Sequence, residues 1–276
     1  MTVTAMFLGN EDGDIATLRY AAEIARLLVK PLRAVCAIPD PSNVYAYSTP
    51  EFAIGVSTGM TKQILEEQDA IKSKTKSAFD ATISNGALPG ERANLVYRPG
   101  YPPDVAAQEA LLSDVLVFPR AASTSGHAFS GACEHVMMDC ALPILIAGTE
   151  PKAQGPVVIA WDASDQAARS LRLHLSVFRH VGPVIIAQSS EGLKSRGDAT
   201  SPEALSAWLA GQGVESSIEQ MSGSAGEGLL QLADRAGAAM IVSGAYGHSR
   251  AGEYLFGGAT RTLLHANQAP ALALCH

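Results

Sequence analysis

Glycines crowd the stretch "GAYGHSRAGEYLFGG", residues 244–258, among them Gly244, Gly247, Gly257 and Gly258. Glycine loses more backbone freedom on folding than any other residue, so such a cluster needs a reason. The apolar run "AMIVS" leads straight into Gly244. Bare backbone at a strand end lets main-chain N–H groups approach a ligand closely. A helix beginning near Gly257 or Gly258 would aim its free N–H groups and positive dipole end at the same spot. Together these make an anion site suited to phosphate. His248 and Arg250, between the glycine pairs, would add positive charge.

The elements that must position this loop come from a repeat. The stretch 113–148 and the stretch 238–275 share one order: apolar strand, small-residue loop, helix, Pro-bearing turn, short apolar strand. Phe118 and Ala121 align with Gly244 and Gly247, Gly131 with Gly258, and Pro143 with Pro270. The segments opening each copy, "TAMFLGNEDGD" and "GPVVIAWDASDQ", agree as well. Self-similarity of this kind means two copies of one unit. The apolar runs are short and do not alternate, as in strands covered on both faces. Strands and helices take turns, which predicts an α/β chain: two tandem, doubly wound, mostly parallel five-stranded sheets with helices on both faces. The seam falls in the Gly- and Pro-bearing "GTEPKAQGP", giving domains 1–150 and 151–276. A polar insert over 39–60, followed by a helix around 61–84, lengthens the first copy. Ligands on such sheets bind beyond the carboxyl ends of the strands, where strand order reverses.

The spacing Gly244-Ala-Tyr-Gly247, nine residues, Gly257 resembles the ATP-binding branch of the universal stress proteins. The Asp162-Ala-Ser164 step after "VVIA" resembles the same family, and the whole chain looks like a tandem member. The resemblance implies an adenine nucleotide alpha hydrolase-like fold and ATP or another adenine nucleotide, with magnesium, as cofactor. It implies that Ala160 and Asp162 hold the adenosine, with Ser189 and Ser243 beside the base. Gly244 and Gly247 would approach ribose and phosphates, and Gly257, Gly258 and Ala259 would receive the phosphate tail. The family usually has Ser or Thr where this chain has Gly258; Thr260 follows two residues on. The implied role is a stress-response sensor or regulator acting on an unidentified protein partner. The two copies would form an intramolecular pseudo-dimer through "PILIA" and "ALALC", with a homodimer left open.

Other readings stand beside this one. The glycines would equally let a helix pack close to a sheet, and Asp162 would equally cap the helix starting near Ser164. Trp161 is placed either for core packing or for stacking on a base. In the first copy Asn10 or Asp12 takes Asp162's place, and the Cβ of Phe118 would obstruct backbone approach. That copy is expected to bind no ATP in the family's manner. "SGSAGEG", 222–228, reads as a turn in which Ser222 or Ser224 caps the next helix.

Composition narrows the classes. With 47% hydrophobic and 17% charged residues the chain can build a large core. No apolar run is long enough to span a bilayer, and nothing at the start reads as a secretory signal, so a cytoplasmic protein is expected. The net charge of −7, with scattered Lys and Arg, argues against a nucleic-acid partner. Cys36, Cys133, Cys140 and Cys275 show no metal or redox spacing. No histidine pair, HExxH or GxSxG constellation marks a catalytic site. The residues specify no enzyme; slow ATP hydrolysis is the most the resemblance allows.

Overall fold

The strands inside the sheet are apolar runs too short for a helix and bounded by turn residues. β1 (Val3–Phe7) is wholly buried, as are β4 (Val115–Phe118), β5 (Ile144–Ile146) and β10 (Ala271–Cys275). Between them stand β2 (Leu32–Ile38), β3 (Ala93–Pro99), β6 (Val157–Ala160), β7 (Val184–Ser189), β8 (Ser216–Met221) and β9 (Met240–Gly244). The helices are α1 (Glu11–Leu27), α2 (Ala53–Ser84), α3 (Pro102–Ala110) and α4 (Ser130–Glu134), then α5 (Asp165–Phe178), α6 (Pro202–Gly211), α7 (Ala225–Ala236) and α8 (Gly258–His265). This computed structural model describes residues 2–276 except 8, 10, 41–52, 86–91, 124–128, 151, 190–197 and 246–257.

Local chemistry sets the helix starts. Ser164, Ser201 and Ser224 are the N-caps of α5, α6 and α7, each with its hydroxyl accepting a backbone N–H three residues on. Ser224 Oγ also donates to the Glu227 carboxylate, which holds that side chain at the first turn of α7. Of the two serines expected there, Ser224 is the cap. Gly237, in the left-handed region at φ 61°, closes α7. A π-helical turn, His135–Asp139, follows α4, and Cys140 lies just past it, half-exposed, while Cys133 is buried.

The α/β fold is mostly parallel, as expected. Its two sets of five strands are continuous: one sheet runs β3-β2-β1-β4-β5-β10-β9-β6-β7-β8. Every pairing is parallel except β5 with β10, where Leu145 faces Ala273. That antiparallel seam turns the second half head to tail against the first. One core layer packs α1, α2, α5 and α6 on one face; the other packs α3, α4, α7 and α8 on the opposite face. Strands so sandwiched need apolar residues at successive positions, which is why the runs lack alternation. Among the described residues no helix is long and apolar enough to cross a membrane.

Candidate functional site

In the second half the chain lays down β6, β7 and β8 in one direction, then returns to place β9 on the other side of β6. Strand order therefore reverses between β6 and β9, and sheets of this kind take ligands beyond the carboxyl ends at such a point. The register pairs Ile159 with Val242 and Ala160 with Ala187, so Ala160, Ser189, Ser243 and Gly244 all end at that edge. Helices α5 and α8 each follow a strand of a parallel pair, so each begins at the same edge.

Asp162 sits in the turn from β6 into α5. Its Oδ1 accepts the backbone N–H of Ser164 at 2.9 Å. Ala163 between them adopts φ 59°, a left-handed conformation that strains a residue with a Cβ. Strain of this kind persists where surroundings dictate it, often beside a binding site. The cap of α5 is Ser164, whose Oγ accepts from Ala167 N at 3.1 Å, so Asp162 braces the turn instead of capping the helix. Trp161 Nε1 donates to Thr200 O at 2.9 Å, and the ring packs on the core. With Trp208, Leu171 and Leu205 it lines a cavity of about 220 Å³ between α5 and α6.

Gly244 has a packing role. A Cβ there would stand 2.6 Å from Ala167 N and 2.8 Å from the Gln166 carbonyl carbon. Missing bulk at Gly244 is what lets the first turn of α5 reach the sheet edge. The next residue is held as well: Ala245 N donates to Cys275 O at 2.9 Å.

Gly258 is the first residue of α8 and is exposed, with Ala259 half-buried behind it. Among the described residues no atom lies within 4 Å of where a Cβ on Gly258 would stand. Thr260, two residues on, is buried. Gly247 and Gly257, like His248 and Arg250, lie outside the described residues.

The first half departs from its expected alignment by one residue. Val117 pairs with Leu145, and Val242 pairs with Ala273, the residue facing Leu145 across the seam. Val117 therefore matches Val242, Phe118 matches Ser243, and Pro119 takes the place of Gly244. A one-residue slip moves a side chain to the other face of a sheet. Phe118 accordingly packs edge-on against Phe129, ring centroids 5.8 Å apart, in the layer opposite α1. The residue that denies this half a bare backbone is Pro119. Asn10 and the side chain of Asp12 lie outside the described residues.

Sequence reasoning missed the polar residues that join the halves. Arg120, one place beyond Pro119, donates from Nη2 to Leu263 O at 2.7 Å and Ala266 O at 3.0 Å. Ser123 Oγ lies 2.9 Å from Leu264 O. His174 on α5 reaches Ile144 O on β5. The one available signal was a lone arginine among small residues directly after a buried strand.

A doubly wound α/β sheet with one switch point in each half defines a broad fold class. Residues 155–274 match the model of the universal stress protein family. A universal stress protein from Archaeoglobus fulgidus DSM 4304 shares the fold over 99% of this chain and 97% of its own, with TM-score 0.69 and 14% identity. A functionally unknown protein from Pseudomonas aeruginosa PAO1 covers 99% of this chain and 92% of its own, with TM-score 0.53 and 14% identity. At such identities the likeness establishes fold alone. No curated protein matches the chain.

Proposed function

We propose that the crevice between β6 and β9 binds an adenine nucleotide, and that occupancy lets this protein act as a stress-response regulator. The observation that carries this reading is convergence. Asp162, Gly244 and the amino ends of α5 and α8 meet one sheet edge at the switch point. Asp162 offers a carboxylate acceptor suited to sugar hydroxyls, fixed by its bond to Ser164. Ala160, Ser189 and Ser243 end the strands where a base would lie. The α8 amino end, with Gly258 and Ala259, supplies free N–H groups and a positive dipole end for phosphate. ATP bound with magnesium would bring its own negative charge and metal; the chain's residues bind and orient it. Gly247 and Gly257 belong to the same proposed cradle by sequence. Occupancy would bias the surface beside the crevice, and with it the binding of a protein partner, inside the cytoplasm.

A second reading is a nucleotide-free interaction module of the same fold. Gly244 favours it, because its missing side chain is already accounted for by α5. Calorimetry separates the two. Purified protein titrated with MgATP should release heat, and Asp162→Ala should weaken binding tenfold or more, about 1.5 kcal/mol for a lost charged hydrogen bond. No heat up to millimolar MgATP, with no adenine released on denaturation, would leave the second reading standing.

A further inference from the structure

Helix α8 begins at the proposed site and ends against the other half of the chain. Because β5 and β10 run antiparallel, the carboxyl edge of the first half meets the amino edge of the second. There, just past β4, Arg120 donates through Nη2 to Leu263 O and Ala266 O, at 2.7 and 3.0 Å. Ser123 Oγ, 2.9 Å from Leu264 O, reaches the same turn. The last carbonyls of a helix have no partner within it, and they form the negative end of its dipole. A guanidinium placed there satisfies both needs at once. Arg120 is half-buried, and burial works against its charge. Its Nη1 meets no hydrogen-bond partner among the described residues. The carbonyls of α8 are thus the principal compensation for a partly desolvated cation, so the contact is held firmly from both sides. Arg120 also stands where the register puts Ala245 in the sister half. The altered motif of the first half has become a grip on the second.

We infer that Arg120, assisted by Ser123, is a positioning residue: by holding the carboxyl end of α8 it sets how well the amino end of that helix binds anionic ligand. The inference rests on the nucleotide reading above. Anything bound at one end of a helix of eight residues is linked to what restrains the other, and the linkage is reciprocal.

The test uses the full chain as wild type, Arg120→Gln, Arg120→Lys and Ser123→Ala. Amide hydrogen exchange is followed without nucleotide, and MgATP affinity by calorimetry. Arg120→Gln should speed exchange in α8 while leaving β1 and β2 unchanged, and should weaken MgATP about tenfold, an ordinary coupling between sites. Arg120→Lys, which keeps the charge, should recover part of both effects. If Arg120→Gln does not fold, Arg120→Lys and Ser123→Ala carry the test, each with about a threefold loss of affinity. Unchanged α8 exchange, or unchanged affinity in variants with faster exchange, overturns the inference. Absence of binding in the wild type overturns the nucleotide reading and the coupling with it; exchange still decides whether Arg120 holds α8.

Discussion

His174 Nε2 lies 3.2 Å from the carbonyl oxygen of Ile144, so a buried imidazole on α5 bridges to the last strand of the first half. Its Nδ1 is 2.9 Å from Ser170 O and 3.3 Å from Ser170 Oγ, and that hydroxyl is 3.3 Å from Ala273 O. Both strands of the seam, β5 and β10, are therefore tied to one turn of α5.

This bridge makes stability pH-dependent. Burial pushes the imidazole down to about 4, although both carbonyl contacts pull it up. In the unfolded chain the ring titrates near its ordinary 6.5. Between those values the unfolded state takes up a proton that the native state refuses, so stability falls as pH drops from 6.5 to 4 and is flat above 6.5. The full loss is about 3 kcal/mol, at 1.4 kcal/mol per pH unit. Urea midpoints measured from pH 7.5 to 4 should fall less steeply in His174→Leu than in wild type. Parallel profiles would show that His174 is not the titrating group.

At Gly148 the two halves meet backbone to backbone. A Cβ there would sit 2.9 Å from Ala271 N and 3.0 Å from both Ala269 O and the Pro270 carbonyl carbon. All three are backbone atoms, which cannot swing aside. Thr149 N donates to Ala269 O beside them, and Thr149 Oγ1 to Asn267 O. Gly148→Ala should cost roughly 1–3 kcal/mol through overpacking. It should also speed exchange in β5 and β10 before β2 or β7. A denaturation midpoint equal to wild type would show that the seam can relax.

Strands and repeat were legible because each run is short, apolar and followed by a helix start such as Ser164 or Ser224. The register between copies was not. Matching Pro143 to Pro270 by identity is one residue off, since Ile144 and Leu272 occupy equivalent places beside Leu116 and Ile241. The loops between β4 and β5 and between β9 and β10 differ in length, and only strand pairing fixes the phase. Asp162 and Gly258 could be placed at the carboxyl edge of the sheet from sequence, because strand ends and helix starts are local signals. Arg120 and His174 could not, because their partners lie in the other half and no local pattern names them.

Gly244 should prove sensitive whether or not a nucleotide binds. Gly244→Ala puts a methyl group against the backbone of Gln166 and Ala167, at 2.8 and 2.6 Å. Either α5 tilts away from β9 or the strand end shifts. The expected cost is again roughly 1–3 kcal/mol. Faster exchange should appear at Ala167 and Ala168, the amides bonded to Ser164. A stable variant with normal α5 protection would mean that the helix start has room to spare.

Gly258 gives the sharpest gain-of-function test. It is exposed, opens α8, and has open space among the described residues where a side chain would stand. Among the described residues Gly258→Ser therefore meets no steric objection, and it replaces a poor helix former, which favours α8 by about 0.5 kcal/mol. The added hydroxyl supplies a donor beside the free N–H groups of the first turn. A hydrogen bond to a charged phosphate contributes about 1.5 kcal/mol or more, so MgATP should bind about tenfold more tightly, provided α8 receives the phosphate tail. Calorimetry on Gly258→Ser and Gly258→Ala separates the causes. Alanine should raise stability but leave affinity nearly unchanged, whereas serine should raise both. If serine and alanine bind MgATP equally, the amino end of α8 is not where phosphate lies.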